Sequence, residues 1–351
     1  MRTLFKFGFL FMLLAVLGLG CIQFRRGPKE ADGGVWRSSN AGEEWQQKKV
    51  LLTAEGLQSI GEVNVTTLTT DPQDPLALYA GTSSYGLLYS YDNGDSWQRA
   101  KQLAEGQVNS VAVDPKDKCT IYAALGPRIW KSTDCNRSFS PVYFETRSGI
   151  VMTQVEVDWF NPQVLYAGTS SGDLLKSVDG GGNWARLDGF DDFIVEIYLD
   201  PFDSRIVFVG LADGGIWKSA DGGATWADLK SGLEEFDRGR GLAAIVSDGL
   251  TRNTFLVATS YGILRTTDGG ASWQALNLPT PPGSITIYSL AVNPRNVNEI
   301  YYGTAATFYR SQNGGANWTT KKLPAARAAT ALLVSPQDPY LVYLGTTLFK
   351  R

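Results

Sequence analysis

Short apolar runs separated by polar turns alternate along most of the chain. Runs such as VNSVAV (108–113) and IYSLAV (287–292) stop at a turn of Asp-Pro type. A second run follows, for which LYAGT (78–82) is typical, and then a third such as IWKS (216–219). Aliphatic and polar residues alternate within each run, and Gly, Pro, Asn or Asp bounds it. That pattern predicts short strands joined by tight turns.

The runs are copies of one unit. A box of the form S/T-x-D/N-x-G-x-x-W recurs as SSNAGEEW, SYDNGDSW, SVDGGGNW, SADGGATW, TTDGGASW and SQNGGANW, with a decayed copy, STDCNRSF. Its third position is Asn40, Asp92, Asp134, Asp179, Asp221, Asp268 and Asn313 in turn. Its aromatic end is Trp45, Trp97, Phe139, Trp184, Trp226, Trp273 and Trp318, at intervals of 42 to 52 residues. A second element precedes every box but the first, as in DPQDPLALYAGT (71–82), DWFNPQVLYAGT (158–169) and DPFDSRIVFVGL (200–211). Each unit therefore has four strands. Strand A ends at the Asp-Pro turn, B is the LYAGT run, C the IWKS run, and D begins at the box Trp. Four strands in 40–45 residues make a propeller blade.

Six units are complete. GGVWRSSNAGEEW near the start supplies only C and D, and ATALLVSPQDPYLVYLGTT near the end only A and B. Joined, they make a seventh blade and remove the edge strands of an open array. The expectation is all-β: a seven-bladed β-propeller of four-stranded antiparallel blades over residues 33–351, the ring closed by strands from both chain ends. In the box, Asp or Asn accepts from turn amides. The fifth-position Gly permits positive φ. The Trp buries its ring and offers an indole N–H.

Residues 1–20 (MRTLFKFGFLFMLLAVLGLG) have a basic start at Arg2 and Lys6 and then an apolar run, the build of a secretory signal. Cys21 follows Gly18-Leu19-Gly20, which resembles the lipobox of bacterial lipoproteins, with Leu17 one residue earlier than usual. The resemblance implies lipidation of Cys21, a tether over 21–32 and a membrane-anchored protein facing the periplasm or cell exterior. An uncleaved anchor and simple secretion are the alternatives, and all three export the ring.

Composition narrows the chemistry. The 351 residues contain no His, which excludes Ser–His–Asp and Cys–His nucleophile systems, HExxH zinc sites and imidazole acid–base catalysis. Three Cys cannot build a four-thiolate metal site. No cofactor motif and no DxDxDG calcium loop appears, so neither cofactor nor metal is expected. A net charge of −3 lacks the basic excess of a nucleic-acid binder.

The boxes resemble the Asp-box, or bacterial neuraminidase repeat, family, and the likeness covers nearly all of the chain beyond the signal. The family includes sialidases, xyloglucan-type glycoside hydrolases, sortilin-type receptors and photosystem II assembly factors. The seven-bladed assembly factors are the most similar in architecture. A sialidase would need an arginine triad and an Arg-Ile-Pro motif, which is missing here, and xyloglucan-type enzymes resemble two propellers clasping a cleft. The resemblance therefore implies a non-catalytic scaffold, not an enzyme, presenting loops to a protein partner at the membrane surface. The alternative is a glycan-binding or glycan-cleaving propeller of sialidase type.

Alignment on the Asp-Pro turn brings Thr67, Ser110, Gln154, Glu196, Ala244, Ser289 and Ala331 to one channel position. Glu156 lies two positions further on in the blade before Glu196. The two carboxylates are a candidate glycosidase pair or a solvated acidic wall. On the face of the D–A and B–C connections, Tyr85, Phe236, Arg238, Arg240 and Tyr261 are candidate partner contacts or ordinary loop residues. Cys119 starts strand B of the decayed blade and Cys135 lies in its box. A hairpin turning near Gly126-Pro127 puts them face to face and predicts a disulfide, as suits an exported protein.

Overall fold

The computed structural model describes residues 31–247 and 249–349. The expected signal, the lipidation site Cys21 and the tether up to residue 30 lie outside the described residues.

Seven four-stranded antiparallel sheets form the blades. Blades one to six each use four consecutive strands. Their innermost strands are Val65–Thr70, Val108–Val113, Met152–Val157, Ile194–Leu199, Leu242–Val246 and Ser289–Asn293. The seventh sheet runs from Ala328–Val334 through Val342–Thr347 to Gly34–Ser38 and Gln46–Lys48. Gly34 pairs with Thr346 and Ser38 with Val342, so both chain ends share one ladder. Asp32, expected in the tether, belongs to the ring. It accepts from Arg327 Nε at 3.0 Å, while the same guanidinium reaches Glu62 of the next blade at 2.7 Å.

Strand B is buried along its whole length, as in LYAGT at Leu78–Thr82, because a blade packs on each of its faces. Seven apolar clusters fill the ring, one between each pair of neighbouring blades. The repeated Gly in strand B marks a close approach. A Cβ on Gly81 would lie 2.8 Å from the Val108 carbonyl oxygen of the next blade.

The boxes fold alike. In the third blade, Gly181 N–H donates to Ser177 Oγ (2.9 Å) and Asn183 N–H to Asp179 Oδ1 (2.8 Å). The fourth box position also lies at positive φ, even where it is Ala41, Asn93 or Cys135. Its carbonyl ties the ring together. Gly180 O accepts from Tyr122 and Lys131 of the preceding blade, and Gly222 O from Tyr166 and Lys176. Thus Lys131 and Lys176, each just before a box, serve the neighbouring blade.

Three box indoles find acceptors: Trp97 on Lys48 O, Trp184 on Gly181 O and Trp318 on Asn277 O. Those of Trp45, Trp226 and Trp273 are buried without one among the described residues. Strand D starts one residue after the Trp, at Gln98 in the first blade. Cys119 and Cys135 form a disulfide in the decayed blade. Between the last strand of the seventh sheet and the first blade lies a hairpin, Val50–Thr53 and Gly56–Ser59. Its first strand lies beside Trp97, with Trp97 N–H donating to Val50 O at 2.8 Å.

Candidate functional site

The innermost strands surround a channel of about 440 Å³. Thr67, Ser110, Gln154, Glu196, Ala244, Ser289 and Ala331 each pair with the Gly or Ala of their own strand B, so the seven are equivalent in register. All seven line the channel. Most blades carry a β-bulge just before this position, which re-aims the side chains that follow.

Polar residues on these strands stitch neighbouring blades. Thr66 Oγ1 donates to Val108 O, Asn109 Nδ2 to Met152 O, Gln154 Nε2 to Val195 O (2.8 Å) and Ser289 Oγ to Ala329 O (2.7 Å). Thr330 Oγ1 closes the circle on Val65 O at 2.7 Å. Glu156 and Glu196 take no part in the stitching. Among the described residues neither carboxyl has a hydrogen-bond donor or a cation paired with it, and no Lys or Arg lines the channel.

Both side chains are half-buried in the channel wall, and this loss of solvation shifts the pair toward the protonated form. The Glu196 carboxyl is pushed up to about 8 by loss of solvation. The Glu156 carboxyl is raised well above the ordinary range by the same cause and then by the charge on Glu196. The two titrate as a coupled pair, in which ionisation of one carboxyl holds the proton on the other. Nothing in the channel matches a sialidase arginine triad. Among the described residues no group of three or more His, Cys, Asp or Glu is placed to hold a metal ion.

On the opposite face the candidate contacts are engaged within the ring. Phe236 and Tyr261 meet edge to face, with ring centroids 5.2 Å apart, and both pack on the apolar cluster between blades four and five. Arg238 donates to Gly283 O and Arg240 pairs with Glu234 at 3.3 Å. The Arg99 guanidinium covers the Tyr85 ring. Sequence reasoning missed a charged cluster on blades two and three. Buried Glu145 and Asp173 share Arg147, and Arg186 also pairs with Asp173. The Arg147 guanidinium holds Glu145 down at about 2. These residues lie in different repeats at unrelated spacings, so no motif announces them.

No protein-family model matches the chain. A curated xyloglucanase from Paenibacillus sp is 24% identical over 198 residues, covering 45% of this chain and 19% of its own. The GH74 xyloglucanase structure from Xanthomonas campestris superposes with a TM-score of 0.66 at 17% identity, over 81% of this chain and 51% of that one. The structure of YCF48 bound to D1 peptide gives 0.62 at 16% identity, over 82% and 94%. The chain thus spans about half of the xyloglucanase structure and a smaller share of the curated relative. A propeller of the same fold binds a peptide, and other propellers of this fold are enzymes.

These findings correct the expectation of a non-catalytic scaffold that is not an enzyme. The curated relative is a xyloglucanase, and the solved neighbours include GH74 enzymes. Beside the missing Arg-Ile-Pro motif and the lack of a second propeller, the ground for that expectation was blade count. It reflects how sheets pack around an axis and does not separate a hydrolase from a peptide binder.

Proposed function

We propose that the chain is a glycoside hydrolase with its chemistry at Glu156 and Glu196. One observation carries this reading: two carboxyls on adjacent inner strands face the same channel, with no counter-ion between them. Hydrolysis of a glycosidic bond needs one carboxylic acid to protonate the leaving oxygen and one carboxylate on the other side of the bond. The coupled pair supplies both once Glu196 has ionised. Glu156 then donates its proton, and Glu196 acts as base or nucleophile. Kinetics of this kind rise on the acid side with the ionisation of Glu196, at about 8. The xyloglucanase relative makes xyloglucan the first substrate to test. Release of reducing ends, with an acid limb of kcat/KM near pH 8, supports the reading; no release from xyloglucan or other β-glucans between pH 5 and 10 overturns it.

The box is assigned to the Asp-box type of repeat. The ring is exported and held at the membrane through a lipid on Cys21. Replacing Cys21 with Ala then moves the protein from the membrane fraction to the soluble one.

A further inference from the structure

The second position of the A–B turn is Pro72, Pro115, Pro201, Pro294 or Pro336 in five blades and Gly249 in another. In the third blade it is Trp159. The turn does not require this exchange. Asp158 Oδ1 still accepts from the amides of residues 160 and 161, at 2.7 and 2.9 Å, as Asp200 does for 202 and 203. Nor does the core require it, since Trp159 is 48% exposed. Lys116 of the neighbouring blade donates to Phe160 O at 2.7 Å and steadies the turn.

Trp159 is a wall of a second cavity, of about 370 Å³, whose floor includes Glu156 and whose rim includes Pro72, Pro115 and Pro336. This cavity and the channel share Thr69, Val111 and Glu156. The two departures from the repeat in the third blade, a carboxyl and an indole three residues apart, therefore border one continuous space. It opens on the face of the A–B turns. Among the described residues no Lys or Arg lines either cavity.

We propose that Trp159 is the stacking platform of a subsite that admits an uncharged glycan from the A–B-turn face toward Glu156. The inference rests on the reading of the channel as a glycan site. The C–H face of a pyranose ring is apolar and lies flat on an indole, while its hydroxyls reach polar groups at the rim. An anionic sugar would bring its carboxylate toward two carboxyls with no cation to receive it. The subsite thus selects neutral sugars.

Calorimetric titration of the full-length Glu196→Gln protein, which cannot turn substrate over, tests this with xyloglucan heptasaccharide, cellotetraose and sialyllactose. Trp159→Ala in that background is expected to weaken binding of a neutral oligosaccharide by about tenfold or more, and Trp159→Phe by about threefold or less. Sialyllactose is expected not to bind. Equal affinity with and without the indole overturns the platform, even where the wild-type protein hydrolyses glucan. Trp159-dependent binding without hydrolysis by the wild type keeps the platform and overturns the hydrolase. Absence of binding by every neutral oligosaccharide overturns the platform outright.

Discussion

Two sets of carboxylates occupy the same blades and titrate in opposite directions. In the boxes on the outer hairpins, the Asn183 backbone amide holds Asp179 down at about 2, and the Thr225 and Ser272 hydroxyls do the same for Asp221 and Asp268. On the inner strands, burial lifts Glu156 and Glu196. The box carboxylates recur because every blade needs the same turn, and their bonds favour the charged form. The channel carboxylates occur in two adjacent blades only, and nothing around them favours charge. Repetition marks what folds the ring; departure from it marks what the ring carries.

The sharpest way to break this comparison is Glu156→Gln. Hydrolysis is expected to fall by about 10²–10⁴-fold, the usual worth of a general acid, with the melting temperature kept. Equal loss of activity and of folding would place Glu156 with the structural set. Next comes Trp97→Ala, which empties a fully buried box position and is expected to cost about 3–5 kcal/mol in chemical denaturation.

The pH dependence of stability separates the two sets by sign. Glu196 moves from 4.5 to about 8 on folding, so its contribution is fully present below pH 4.5 and is lost as pH rises toward 8. Asp179 moves from 3.8 to about 2, so its contribution is present above pH 3.8 and is lost as pH falls toward 2. Denaturation curves across pH are expected to lose part of the slope between pH 4.5 and 8 in Glu196→Gln and part of the slope between pH 3.8 and 2 in Asp179→Asn. The smallest effect is expected for Asp221→Asn, a denaturation midpoint close to that of the wild type, because Asn40 and Asn313 already accept the same turn amides in their own boxes.

Blade number, strand order and ring closure were legible in the sequence because the box and the Asp-Pro turn recur at blade spacing. The channel position was legible for the same reason, and the ladder pairs Glu196 with Gly210 at the place where the alignment puts it. Trp159 was visible as a break in the Asp-Pro pattern, but its turn lies on the box face, which the repeat makes look purely structural. The packing of Phe236 against Tyr261 was not legible, since position on a loop says nothing of a neighbour 25 residues away. The sharing of Arg147 between Glu145 and Asp173 was hidden for the same reason. Function was the least legible, because fold resemblance weighs all blades equally while chemistry depends on the two that differ.

The ladder that joins Gly34 to Thr346 spans 312 residues. For a chain made from its N-terminus, that partner arrives last. Blades two to six meet their neighbours as they emerge, but the first waits with one flank open. Val65, Leu78, Leu88 and Trp97, buried against Tyr343 in the finished ring, stay wetted until synthesis is nearly complete. A chain halted before residue 342 would present that flank as a sticky apolar surface, so truncation late in the gene should produce aggregates or chaperone clients rather than a smaller propeller.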